Sequence, residues 1–150
     1  MDRTLSKLES SEDSLTRKHD LTIRARNITL EIDEASENMV KIKSNCAGQV
    51  NGSLYSGSYN DTVEAIMIPD GTLALTVKYV HMTDRGEAVW GAGTGTRGVP
   101  DEKGIAKLTA EGMMWASAPR LSQLNGKRWM SEGKYNIKEE SFEVRQQFYR

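Results

Sequence analysis

The sequence predicts an all-β fold: an antiparallel, closed or nearly closed barrel of about eight strands. Three observations carry that expectation. After residue 20, apolar residues recur with period two in run after run. Turn signals separate the runs, among them Pro69-Asp70-Gly71 and the Thr83–Gly86 stretch. No well-patterned helix of ten or more residues follows residue 20, which excludes alternating βαβ architectures.

Taken in order, residues 1–18 are rich in Ser, Lys, Glu and Asp, with only Leu5, Leu8 and Leu15 as apolar anchors. They read as a polar tail or short helix, and residues 19–150 as the barrel domain. Leu21, Ile23 and Ala25 share one face, and Ile28, Leu30 and Ile32 continue the alternation in opposite phase. A phase change of that kind predicts a bulge near Asn27. Separate runs are expected at Met39–Lys43, Gly48–Gly57 and Thr62–Ile68. Thr72–Met82 is the clearest strand. Leu73, Leu75, Val77, Tyr79 and His81 fall on one face, and Ala74, Thr76, Lys78, Val80 and Met82 on the other. Glu87–Arg97, Ile105–Trp115, Lys127–Tyr135 and Phe142–Tyr149 complete a set of eight or nine.

Glycine decides between barrel and sandwich. All 13 glycines lie at or after Gly48, and Gly91, Gly93 and Gly95 fall within one strand, with Gly112 and Gly133 in the strands that follow. Glycine weakens a strand unless the sheet bends sharply or another backbone comes close. Repeated mid-strand glycines are a device of closed barrels.

Composition bounds the function. A chain of 150 residues is one domain's worth. Lys and Arg number 20 against 21 Asp and Glu, a net charge of −1, which fits poorly with nucleic acid or an anionic membrane as partner. The single cysteine, Cys46, allows neither an internal disulfide nor a cysteine cluster, and it reads as a buried structural thiol. His19 and His81 are the only histidines and lack metal-ligand spacing, so neither metal nor cofactor is expected. The N-terminal residues lack the apolar core of a secretion signal, and the expected location is cytoplasmic. Gly93–Gly98 formally matches G-x-G-x-x-G. Val99-Pro100 and a further strand follow it, where a dinucleotide site needs a helix. No nucleophile elbow or P-loop is present.

The candidate chemistry therefore lies in what the barrel turns inward. If the Leu73–Tyr79 face packs outward, Lys78 becomes a cation inside an apolar barrel, with Arg97, Glu111 and Glu132 as its neighbours by strand position. If that face is the core, Lys78 is solvated. His81 has a pKa suited to moving protons. Met113, Met114, Trp115, Trp129 and Met130 supply adaptable apolar surface, as core or as pocket lining.

The run from Gly48 to Gly57, then Pro69–Tyr79, Thr83–Gly86, Gly95–Gly98, Pro119-Arg120-Leu121, Leu124-Asn125-Gly126 and Glu132-Gly133, resembles an uncharacterised prokaryotic family of small β-barrels. The resemblance covers residues 46–149, and the barrels are similar in kind to calycin and allene-oxide-cyclase-like folds. It implies a lumen that holds a small apolar molecule, a dimer or trimer, and basic lumenal residues at Lys78 and Arg97. Lys78 stands where the pattern tends to carry arginine, and it lacks arginine's planar fork of donors.

The expectation is thus a barrel that binds a small apolar or aromatic molecule through Lys78, Tyr79, Trp90, Arg97, Met113, Trp115 and Glu132. The alternative is a cofactor-free isomerase, cyclase or lyase, with Lys78 or Arg97 stabilising negative charge and Glu111 or His81 moving a proton. A third reading is a non-catalytic protein that oligomerises through its outer sheet.

Overall fold

The structure, a computed structural model, describes residues 20–149, so the expectations for residues 1–18 lie outside the described residues. It is a closed barrel of eight antiparallel strands. In order they are β1 (Leu21–Ala35), β2 (Val40–Gly52), β3 (Gly57–Met67), β4 (Leu73–Thr83), β5 (Ala88–Arg97), β6 (Ile105–Ala116), β7 (Lys127–Asn136) and β8 (Ser141–Phe148). Each strand pairs with its neighbours in sequence, and β1 pairs with β8 to close the ring. Among the described residues no helix is long and apolar enough to cross a membrane.

Most elements fall where the alternation places them. The phase change in β1 is a register shift between Asn27 and Thr29 against β2. There the Asn27 amide donates to the Glu140 carbonyl (2.8 Å), and β1 parts from β8, having paired with it only from Leu21 to Arg26. One expectation is corrected. The runs at Met39–Lys43 and Gly48–Gly57 belong largely to the single strand β2, because Ser44, Asn45, Cys46 and Ala47 carry the pairing through on both sides. The Asn45 side chain stitches this stretch to its neighbours. Its Oδ1 accepts from the Thr29 hydroxyl (2.8 Å), and its Nδ2 donates to Thr62 Oγ1 (2.9 Å).

The core fills one end of the barrel. A 3-10 segment, Pro119–Leu124, crosses that end between β6 and β7. Its Leu121 and Leu124 join a cluster with Leu21, Val50, Val89, Met114 and Phe148. Arg120 anchors the segment. Its guanidinium meets both carboxylate oxygens of Glu87 (2.7 and 2.8 Å) and donates to the Leu54 carbonyl (3.3 Å). The opposite end stays open.

The mid-strand glycines make room for aromatic rings. A methyl group on Gly91 would strike the Tyr79 hydroxyl, and one on Gly93 would lie 2.8 Å from the Trp129 ring. Gly112 meets the same ring at 2.7 Å, and at both positions a backbone carbonyl oxygen of the neighbouring strand, Glu111 for Gly93 and Ala92 for Gly112, is nearer still. At these three positions β5 and β6 form a patch without side chains against which both rings lie. Gly93→Ala is expected to destabilise the fold by about 1–3 kcal/mol through overpacking. Trp129→Phe in the same background should restore part of that loss. Urea unfolding of the two single variants and the double variant measures the coupling, and strictly additive losses would show that the ring is not what excludes a side chain at this position.

Candidate functional site

Above the filled floor the lumen holds a cavity of about 300 Å³. Its walls are mainly aliphatic, with Val63, Ala65, Leu75, Val77, Leu108 and Ala110 among them. The alternation in β4 settles which face looks inward. Leu73, Leu75, Val77 and Tyr79 line the cavity, so Lys78 stands on the outer face between Thr62 and Ala92. This corrects the lumenal placement of Lys78. The physical reason is that an ammonium group without a counterion keeps its hydration outside, while the apolar face is buried.

The same alternation puts Trp90, Glu111, Met113, Trp115 and Glu132 on the outer surface, which corrects their expected place in the lumen. Trp90 and Trp115 are register partners there, and Trp90 is 41% exposed. Next to them on β5 and β6 the inner positions are held by Gly91, Gly93, Gly112 and Met114, and the three glycines admit Tyr79 and Trp129.

Of the residues expected at the site, Tyr79 and Arg97 line the cavity. His81 is inside the barrel but fully buried beneath it, among the rings. Tyr79 stacks on it at 4.7 Å, and its Nδ1 shares a 2.7 Å hydrogen bond with the Tyr55 hydroxyl. Burial lowers its pKa to about 3, so it is a neutral core histidine at ordinary pH. Arg97 lies at the open end with its guanidinium 5.1 Å from the Tyr135 ring centroid. Burial lowers its pKa, and Tyr135 works in the opposite direction.

The structure also brings forward residues that the alternation did not single out. Asp61 on β3 faces the cavity and is only 6% exposed. One carboxylate oxygen accepts the Tyr59 hydroxyl (2.5 Å) and the other accepts the Cys46 backbone N–H (3.0 Å). Desolvation raises its pKa to about 6, against the opposing pull of these bonds. Every titratable group that contacts it is neutral at that pH. Burial pushes up Tyr59 on the same strand, Cys46 on β2 and Tyr79 on β4. The Cys46 thiol donates to Asn27 Oδ1 (3.1 Å).

Deeper in the cavity, three polar atoms crowd together. The Gln146 amide and the Trp129 indole N–H lie close enough to the Tyr79 hydroxyl to favour its ionised form, but burial dominates and raises its pKa. Tyr79 Oη, Trp129 Nε1 and Gln146 Nε2 are all buried without a hydrogen-bond partner in the protein. Among the described residues no group of three or more His, Cys, Asp or Glu side chains gathers as a metal site.

Comparison with known proteins gives the fold alone. No family model matches the chain, and no curated protein matches it in sequence. Solved structures match in shape. A conserved protein of unknown function from Rhodopseudomonas palustris has a TM-score of 0.74 at 18% identity, covering 91% of this chain and 98% of that one. A β-barrel-like protein from Acinetobacter baumannii has a TM-score of 0.77 at 12% identity, covering 91% and 96%. An enzyme from Penicillium herquei has a TM-score of 0.58 at 16% identity, covering 89% and 96%. The chain is thus similar in fold to small β-barrel proteins, two of them bacterial and one a fungal enzyme.

Asp61 and His81 drive stability in opposite directions as pH changes. The raised pKa of Asp61 gives stability that is full below its unfolded value of 3.8 and lost as pH rises through about 6. The depressed pKa of His81 gives stability present above its unfolded value of 6.5 and lost as pH falls towards about 3. In the wild type the two slopes oppose each other. Asp61→Asn should remove only the first, so its stability relative to wild type should rise by roughly 3 kcal/mol between about pH 4 and pH 7. Urea unfolding across that range tests this. A constant gap between the two proteins would mean that Asp61 does not titrate from a buried state.

Proposed function

We propose that the barrel binds a small apolar or aromatic molecule in its lumen, as calycin-like and allene-oxide-cyclase-like barrels do. The observation that carries this reading is the cavity itself. Protein interiors are close-packed and satisfy their buried polar groups. Here a lumen of about 300 Å³ is left unfilled and carries unpartnered polar atoms at Tyr79, Trp129 and Gln146. An apolar wall with a few placed polar groups is the usual make-up of a ligand pocket. Arg97 at the rim adds attraction for an electron-rich or anionic substituent.

The test is to fill the space. Ala110 is on the cavity wall, and Ala110→Phe would project a ring into it. Wild-type protein should bind the fluorescent aromatic probe 1-aminoanthracene saturably, one molecule per chain. The filled variant should bind at least about tenfold more weakly. Equal affinity in the two proteins would exclude the lumen as the binding site.

A further inference from the structure

The lumen-binding reading leaves open what a molecule held there would undergo. We propose that the lumen transfers a proton on a small carbonyl compound, with Asp61 as the base and the Tyr79, Trp129 and Gln146 donors holding the carbonyl oxygen. This rests on the lumen-binding reading and names the class of substrate.

The two halves of the site share one cavity. Asp61 and Tyr79 are register partners on adjacent strands and face the same way, which sets their Cβ atoms about 4.5–5.5 Å apart. Trp129 Nε1 can only donate, and the tyrosine hydroxyl and glutamine amide each have a donor to offer. All three side chains are at least nine-tenths buried, and none of the three polar atoms has a protein partner. Trp129 and Gln146 turn their donors towards the Tyr79 hydroxyl without closing a hydrogen bond on it, so a carbonyl oxygen entering beside that hydroxyl would meet donors not spent on the protein. A carboxylate placed here would face Asp61 with no cation bonded to either group, so a neutral carbonyl fits better than an acid.

Asp61 is equipped to be the base. Its oxygens accept from the Tyr59 hydroxyl and the Cys46 N–H, with the Cys46 thiol close by, which fixes the carboxylate while a carboxylate's four lone-pair sites are not all used. With a pKa near 6 it is a stronger base than an ordinary aspartate and is still ionised at neutral pH. In the reaction the carbon–hydrogen bond next to the carbonyl breaks and its proton goes to Asp61. The electron pair of that bond forms the carbon–carbon double bond of an enolate, and the carbonyl pair moves onto oxygen, where the three donors meet it. Protonated Asp61 then returns the proton to the same carbon, or to the γ-carbon of an unsaturated ketone, which shifts the double bond. Atoms and electrons balance without a co-reactant.

The probe is 2-tetralone, a compact aromatic ketone with acidic protons beside its carbonyl. Saturation-transfer NMR reads its binding to the full-length protein, and proton NMR in D2O reads deuterium incorporation at those carbons. Wild type should bind it and speed exchange by about 10²–10⁴ over the same concentration of Ala110→Phe. The rate should rise with pH through a midpoint near 6, as Asp61 ionises. Asp61→Asn should still bind, with exchange falling to the level of the filled variant. Binding without accelerated exchange, a flat pH profile in the wild type, or full exchange in Asp61→Asn would each overturn the inference and leave the binding reading intact. No binding of 2-tetralone by wild type would overturn the carbonyl class itself, whereas failure of 1-aminoanthracene to discriminate the filled variant overturns the lumen as a site.

Discussion

The interior of this barrel depends on two aromatic rings lying against a patch of wall made of glycine. Tyr79 and Trp129 can occupy the lumen only because Gly91, Gly93 and Gly112 leave the facing strands bare. The rings then set everything above and below them. Below, Tyr79 covers His81 and joins the core that Leu121 and Leu124 seal. Above, the aliphatic walls have too little volume to fill the remaining space, and a cavity is left. The polar atoms of both rings come to rest at its base, beside Gln146. A glycine-rich strand, which looks like a weakness in isolation, thus sets the depth of the pocket.

The electrostatics follow from the same enclosure. A low-dielectric interior disfavours charge of either sign, so the buried acid is raised and the buried base is lowered. Asp61 and His81 both move towards neutrality, for one physical reason with two opposite directions on the pH scale. Arg97 is pushed the same way by burial, but Tyr135, whose ring lies under its guanidinium, opposes the shift. The lumen is therefore graded: cationic at the mouth, aliphatic in the middle and rich in neutral donors at depth.

The fold was legible because strand alternation and turns are local properties. The bulge at Asn27 and the strand positions from β4 onward could be read from spacing alone. The site was less legible, because which face points inward is a tertiary property. On β5 the usual rule inverts: the outward residue is Trp90 and the inward ones are glycines, so size and hydrophobicity point the wrong way. On β6 apolar residues occupy both faces, with Met113 and Trp115 outside and Met114 inside. Asp61 escapes the sequence reading because the apolar run there begins only at Thr62, after the polar stretch Ser58–Asp61. A signal was present. Tyr59, Asp61, Val63, Ala65 and Met67 alternate on one face, and a lone acid within such a stripe marks a buried carboxylate.

The closure between β1 and β8 has a consequence for how the chain reaches this state. Every other pairing is a hairpin between consecutive strands and forms at little loop entropy. The seam alone joins residues more than a hundred positions apart, as the Phe148 amide donating to the Asp20 carboxylate shows (2.6 Å). On a ribosome that releases the chain from its N-terminus, β1 waits for β8 until the six strands between them have emerged. Until then the nascent molecule is a curling sheet with two open edges and an apolar inner face, the form most open to pairing with a neighbouring chain. The molecule's most vulnerable moment is therefore set by its topology, and it ends when the last strand emerges.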